Sequence, residues 1–453
     1  MGANRYIVAI EIGSSKVSGA IGMDTYDGIK IVAYASEPVN GFISKGVVRN
    51  VDETGSCLTS IINRIEAQMT NVCIEKAYVA FGGLSLHSIK STVTKGFDEY
   101  TKIVPEIIDE MTVENDNIFS APIGYQKVKV IPQECKLNGE VVLSPIGIPT
   151  KHIECNFLNL VIKEQYLKQL EESFSMSNIA IMDAFNATGI EAGIMLSDDD
   201  RRNGCALVNI GSETTTVAIY SNALLRNLVV IPLGSENITR DLCAENISHQ
   251  EAEQLKIFKG YASESNENDS IPTKTIDSII SARIMEIMQN VKYRIEHSKE
   301  VVNSIIFTGG GAKLKNIETL LNENLAGYKL RILTDISVNY HVDENLFLTK
   351  DAITPTLYGL LKIGKENCCR EEIIAPATET SIPESLFANV EEKNPELPEE
   401  KEVVVPEPKR SKKSSRSNGG GNFFGGLFDN LTKKGREFVN NITEEEAEDE
   451  EDN

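Results

Sequence analysis

The sequence has no tryptophan, no C-x-x-C pair and no apolar run near the ~18 residues that would cross a bilayer. The missing C-x-x-C speaks against a zinc site. In a chain of 453 residues the eight cysteines (Cys57, Cys73, Cys135, Cys155, Cys205, Cys243, Cys368 and Cys369) are expected to be reduced core thiols of a cytosolic protein, not a disulfide framework. No signal peptide is expected ahead of the first strand. Basic residues are outnumbered, 45 Lys and Arg against 67 Asp and Glu. The net charge of −22 predicts a body that repels nucleic acid, so no nucleic-acid partner is expected. Much of that charge gathers in residues 444–452, which are almost all acidic. A hydrophobic share of 41% suits a soluble globular protein, and the length allows two or more domains.

What is present centres on Tyr6 to Ile21, where an apolar, β-branched run stops at Gly13-Ser14-Ser15-Lys16 and resumes. That reads as strand, turn, strand. Gly13 lets backbone approach an anion closely, while Ser14, Ser15 and Lys16 offer hydroxyl, amide and ammonium donors. Alone, this also fits an ordinary hairpin. The same grammar returns about 200 residues later, from Ala206 to Tyr220, with the turn Gly211-Ser212-Glu213-Thr214-Thr215. Self-similarity at so long a period signals duplication, and two such hairpins facing one another could clamp a polyphosphate. A third glycine turn follows a strand at Gly309-Gly310-Gly311, with Lys313 after it and a helical pattern at Leu314, Ile317, Leu320 and Leu321. Three glycines let backbone pass close to a flat ligand and would open a helix N-terminus toward it.

Two phosphate hairpins followed by strand, three glycines and helix resemble the actin-like ATPase superfamily. There they are the two phosphate loops and the adenosine loop. The resemblance implies a duplicated, ribonuclease H-like two-domain α/β fold that binds ATP and Mg²⁺. Between them, residues 84–162 read as an inserted α+β module: an alternating strand from Leu84, a helix from Pro105, strands at Tyr125 to Ile131, Val141 to Leu143 and Ile153 to Ile162, and an Asn138-Gly139 turn. Gly82 to Ile89, Val130 to Glu134 with Leu137-Asn138-Gly139, and Ser144 to Ile148 resemble the bacterial cell-division FtsA family, which carries an insert at this place. The likeness spans roughly residues 5–365.

The expected organisation is a first domain in two parts (1–83, and 163–196 with its cross-connection), the insert at 84–162, a second domain at 197–350 and a return connection at 351–370. Asp52 reads as the cap of the first helix. After it come a disordered linker at 371–421, an amphipathic helix at 422–443 and an acidic tail at 444–453. Phe424, Leu427, Phe428, Leu431, Phe438 and Val439 share one helical face, with Lys433, Lys434 and Arg436 toward the polar side. That arrangement, with the basic run Lys409 to Arg416, favours reversible binding to an anionic membrane over docking on the protein's own core.

The resemblance further implies that the residues two before each first glycine hold hydrated Mg²⁺. Here they are Glu11 and Asn209, where the superfamily usually has Asp. Ser212 and Glu213 also depart from common glycines. Slow or absent hydrolysis is therefore expected, with no catalytic base named. Glu253 and Lys256 either contact ribose and adenine, as in similar proteins, or form a plain solvated i,i+3 pair. As an FtsA-like protein the chain would tether the tubulin-like FtsZ to the cytoplasmic side of the inner membrane at the division septum. It would assemble with itself into filaments and recruit later division proteins. A sugar- or acetate-kinase-like phosphotransferase and a type IV pilus actin-like adaptor are the alternatives. No second substrate constellation supports the first, and the long linker with its helix argues against the second.

Overall fold

The computed structural model describes residues 5–371 apart from 27, 262–270, 335, 337–339, 345 and 350–351. The segments expected to be a linker (371–421), an amphipathic helix (422–443) with its apolar and basic residues, and an acidic tail (444–453) lie outside the described residues, apart from 371. No helix among the described residues is long and apolar enough to cross a membrane.

The first domain opens with an antiparallel meander of β1 (Tyr6–Ile12), β2 (Lys16–Thr25) and β3 (Gly28–Pro38). The small hairpin β4 (Ile43–Ser44) and β5 (Val47–Val48), helix α1 (Val51–Glu66), and strands β6 (Val72–Ile74) and β7 (Lys76–Phe81) follow. The cap of α1 is Asn50, not Asp52. Asn50 is extended and its side chain accepts from the Glu53 N–H, which leaves Asp52 and Glu53 in the first turn, where the helix dipole favours them. The inserted module consists of β8 (His87–Lys102), α2 (Pro105–Ile118), β9 (Tyr125–Leu137), β10 (Glu140–Val142) and β11 (Pro149–Lys163). The chain then forms α3 (Glu164–Met176), β12 (Ala180–Asn186), α4 (Ala187–Met195) and α5 (Asp198–Asn203).

The second domain repeats the plan. Its meander is β13 (Cys205–Ile210), β14 (Thr215–Ser221) and β15 (Leu224–Ile231), followed by α6 (Glu236–Cys243), α7 (His249–Lys259), α8 (Thr273–Ser298), β16 (Ser304–Thr308), α9 (Ile317–Asn324) and β17 (Lys329–Ile332). Strand β18 (His341–Val342) already pairs with β3, and α10 (Pro355–Ile363) and β19 (Cys369–Glu371) complete the described chain. The duplication shows in strand order. β12-β7-β1-β2-β3 in one sheet matches β17-β16-β13-β14-β15 in the other, with parallel strands on one side of the first strand and the meander on the other. Near-continuous apolar runs such as Ile7 to Ile10 and Ala206 to Val208 are fully buried because helices or insert cover both faces.

Helix α4 leads the chain from the first domain to the second, and α10, reached only after β18 has rejoined the first sheet, packs against α4 at the base. A Cβ on Gly359 would stand 2.4 Å from Ile190 Cγ2, so only glycine permits this approach.

The insert does not hang from the first domain alone. Its strand β8 meets β15 at His87 and Val229, and the Leu228 N–H donates to Ser88 Oγ at 2.9 Å, so one nine-stranded sheet runs from insert to second domain. Buried Arg226 clamps the seam. It donates to Gln133 Oε1 at 3.0 Å and pairs with Glu134, while Gln133 returns a bond to the Leu225 carbonyl at 3.2 Å. The expectation of uniformly reduced thiols fails inside the insert. Antiparallel β9 and β11 make Cys135 and Cys155 register partners with Cα atoms 4.0 Å apart, and the two form a disulfide.

Candidate functional site

The two hairpin tips are built alike. The Gly13 N–H donates to the Lys16 carbonyl at 3.1 Å, and the Gly211 N–H donates to the Thr214 carbonyl at 2.8 Å. Two positions before each glycine, Glu11 pairs with Ser18 and Asn209 with Thr216 in the same register. The tips face one another across a cleft of about 1290 Å³ between the domains. Its walls include Glu11, Gly13, Ser14, Ser15 and Lys16 from the first hairpin, and Asn209, Gly211, Ser212, Glu213 and Thr214 from the second. Thr215 is not among them. Its side chain is fully buried and donates to the Leu233 carbonyl, and Thr216 lines the cleft instead, as the alternation of a strand requires.

The third glycine turn also reaches the cleft, through Gly309, Gly310, Gly311 and Lys313. It does not open an α-helix directly. Gly310–Lys313 is a single 3₁₀ turn, and α9 begins only at Ile317. Gly309 has φ +88°, and a Cβ there would meet Asn209 Oδ1 and the Ile210 carbonyl. A Cβ on Gly310, by contrast, meets nothing within 4 Å, so this is the point where the turn lies open to a ligand.

Glu253 and Lys256 face the same cleft and are not a solvated pair. Lys256 is buried and donates to Glu253 at 2.6 Å, to Thr239 Oγ1 at 2.8 Å and to the Ser235 carbonyl at 3.3 Å. Burial opposes ionisation of Glu253, yet Lys256 and Thr239 together hold its carboxyl below the usual range.

The floor of the cleft holds the residue that sequence reading missed. Glu191, on α4, is 2% exposed. Both its oxygens accept from Asn209 Nδ2, at 3.0 and 2.8 Å, and Oε1 also accepts from Thr308 Oγ1 at 3.0 Å. Burial pushes its carboxyl up to about 7 against the help of these donors, and the nearby Glu11 adds to the rise. Burial raises Glu11 too, opposed by the Thr354 hydroxyl that donates to it and by the charge of Lys16. Ser18, on the cleft wall beside Glu11, is 1% exposed, and its Oγ has no hydrogen-bond partner among the described residues. The signal for Glu191 was available as a lone carboxylate in the apolar helix from Ala187 to Leu196.

One buried and one half-buried carboxylate, both reluctant to ionise, one orphaned hydroxyl and an amide form a donor set suited to a hydrated dication, which takes one or two carboxylates and keeps several waters. Among the described residues no three His, Cys, Asp or Glu side chains converge on one point. Glu11, Glu191 and Asn209 are therefore the groups that would hold Mg²⁺, through its waters.

A family model described as "Cell division protein FtsA" matches residues 206–349, a segment that contains the second hairpin, α7 and the glycine turn. The curated cell division protein FtsA of Porphyromonas gingivalis is 28% identical over 341 residues, covering 69% of this chain and 69% of that protein. The Escherichia coli K12 protein of the same name is 22% identical over 398 residues, covering 80% and 91%. The chain is an FtsA homologue. Among solved structures, the PilM-PilN type IV pilus biogenesis complex aligns with a TM-score of 0.57 at 15% identity, covering 78% of this chain and 97% of that one. At that identity the likeness shows the fold alone, and the fold is the actin-like two-domain one, consistent with the duplicated sheets of this FtsA homologue.

Proposed function

We propose that the chain serves bacterial cell division by binding ATP with Mg²⁺ in this cleft and acting as an actin-like adaptor. It holds FtsZ at the cytoplasmic face of the inner membrane at the septum and recruits later division proteins. The division role has the support of relatives named as cell division proteins, such as those of Porphyromonas gingivalis and Escherichia coli, that align over most of the chain. Nucleotide binding rests on one observation above the others: two hairpins of identical turn and register meet an open glycine turn in a single cleft.

In this reading Gly13, Ser14, Ser15 and Lys16 and the second hairpin's Gly211, Ser212 and Thr214 hold the phosphates, and the Gly309–Gly311 turn lies against the adenosine. Bound metal would neutralise charge on the phosphate oxygens. Among the described residues none stands out in the cleft as a free base. Glu191 is engaged by three hydrogen bonds, which fits slow or absent hydrolysis. Head-to-tail stacking, a heterologous contact that does not close, would give filaments. The 422–443 helix would bind an anionic leaflet through its apolar face and flanking lysines.

Calorimetry of the full chain with ATP and Mg²⁺, beside co-sedimentation with anionic vesicles, tests both halves. Saturable ATP binding, abolished by Gly310→Asp, is expected. Leu427→Glu with Phe428→Glu should release the protein from vesicles and leave ATP binding unchanged. Absence of saturable binding at millimolar ATP would overturn the cleft assignment, and a double variant that still pellets with lipid would overturn the anchor.

A further inference from the structure

Glu213 stands where a carboxylate is out of place, at the tip of the second hairpin and facing the phosphate pocket. It is not free. Oε1 accepts from Arg240 Nη2 of α6 at 2.6 Å, within the second domain. Oε2 accepts from the Lys45 N–H at 2.6 Å, and Lys45 belongs to the first domain. The side chain is only 13% exposed.

Lys45 and Gly46 form the turn of the β4–β5 hairpin, with φ +54° and +71°. Two successive N–H groups in such a turn make a small anion-binding concavity. Here the second of them, on Gly46, donates to Ser14 Oγ at 2.7 Å, at the tip of the first hairpin. The turn is fixed from behind, where the Leu84 N–H donates to the Lys45 carbonyl and Gly83 packs so closely that a Cβ on it would stand 2.5 Å from the Gly46 carbonyl oxygen. One rigid turn therefore touches both phosphate hairpins, and the anion it binds across the cleft is a side chain of the protein itself.

We propose that the Glu213 carboxylate is an internal stand-in for the terminal phosphate of the nucleotide. It occupies the Lys45 N–H and Arg240, bridging the domains when no triphosphate is present. The inference deepens the nucleotide reading above and rests on it. A phosphate carries more charge than a carboxylate and offers the same oxygen acceptors. A third phosphate entering between the hairpin tips thus meets a like charge at close range and must displace it from both donors. A diphosphate ends short of this point and leaves the bridge in place. Glu213 makes the contact between the domains depend on the number of phosphates bound.

The test is calorimetric titration of the full-length wild type, Glu213→Gln and Glu213→Ala with Mg-ATP and Mg-ADP, with thermal melts to confirm folding. Removing the like charge should tighten ATP about tenfold and change ADP by less than about threefold, so the ratio of the two affinities shifts. A purely structural role would move both nucleotides alike. If both bind and the ratio stays at the wild-type value in both variants, or if ATP weakens, the stand-in is overturned while the nucleotide site remains. If no variant binds either nucleotide, the site itself is overturned and the inference with it. The alanine variant keeps the test open should the glutamine variant fail to fold.

Discussion

Replacing Glu191 by Gln should stabilise the protein without nucleotide or divalent cation at pH 8 and leave it nearly unchanged at pH 5. In the folded chain burial and the neighbouring Glu11 push Glu191 up to about 7, from 4.5 in the unfolded chain. Below the unfolded value both states hold the proton and the group exerts no pull on the equilibrium. As pH rises, the unfolded chain releases its proton first, so stability falls until the folded group ionises as well. Across a shift of about 2.5 units, at about 1.4 kcal/mol per unit, the penalty reaches about 3 kcal/mol above pH 7.

Glutamine keeps one acceptor for Asn209 or Thr308 and loses the other, so roughly 1–2 kcal/mol of that should be recovered. For a chain of this size that is a rise of roughly 1–3 °C in Tm. Thermal melts in EDTA at the two pH values measure it. An equal change at both, or a loss at pH 8, would mean that Glu191 ionises as an ordinary carboxylate and that its three hydrogen bonds fully offset its burial.

Two other substitutions probe how the domains are joined. Gly359→Val should wedge α10 away from Ile190 of α4 and lower stability in denaturant melts by about 1–3 kcal/mol, with weaker ATP binding because α4 carries Glu191 on the cleft floor. Arg226→Met strands Glu134, whose side chain is 25% exposed, so a loss of about 2–3 kcal/mol is expected, below that of a fully buried pair. Adding Glu134→Leu should recover most of it, and a single variant as stable as wild type would show that the insert is not clamped to the second domain there.

Sequence reading reached what is local and repeated. The hairpins were legible because glycine turns flanked by apolar runs carry their own geometry, and the second copy confirmed the first. The insert's elements were also legible, although β8 and β9 run well past the stretches read as strands, since their distal parts carry mostly polar residues with few apolar ones. The seam between insert and second domain was not legible. It depends on single polar side chains, Ser88 with Leu228 and Gln133 with Arg226, separated by 140 and 93 positions. The Cys135–Cys155 pairing was hidden for a related reason. Twenty positions separate the two, and a register shift in the β9–β11 ladder next to the pair breaks simple counting. The cap at Asn50 was masked by the acidic residue two places later, a type equally at home in a first turn.

Asn209 shows why a site residue has to be read with its neighbours. Taken along the second hairpin alone it is a weakened metal position, an aspartate that has lost its charge. In the folded chain its amide donates to both oxygens of Glu191, which an aspartate could not do. An aspartate at 209 would place a third carboxylate beside Glu191 and Glu11, with Lys16 the cation whose charge is felt at Glu11, and like charges at such range cannot all ionise. The carboxylate partnered with Asn209 stands on the helix beneath the hairpin, and the cleft carries two carboxylates, Glu11 and Glu191. Glu213 follows the same rule in the opposite sense, since its added charge is met by Arg240 of the same domain. Two of the three departures of the second hairpin are thus compensated pairs, Asn209 with Glu191 and Glu213 with Arg240. In each pair the partner that makes sense of the odd residue lies on a helix that the hairpin sequence does not contain.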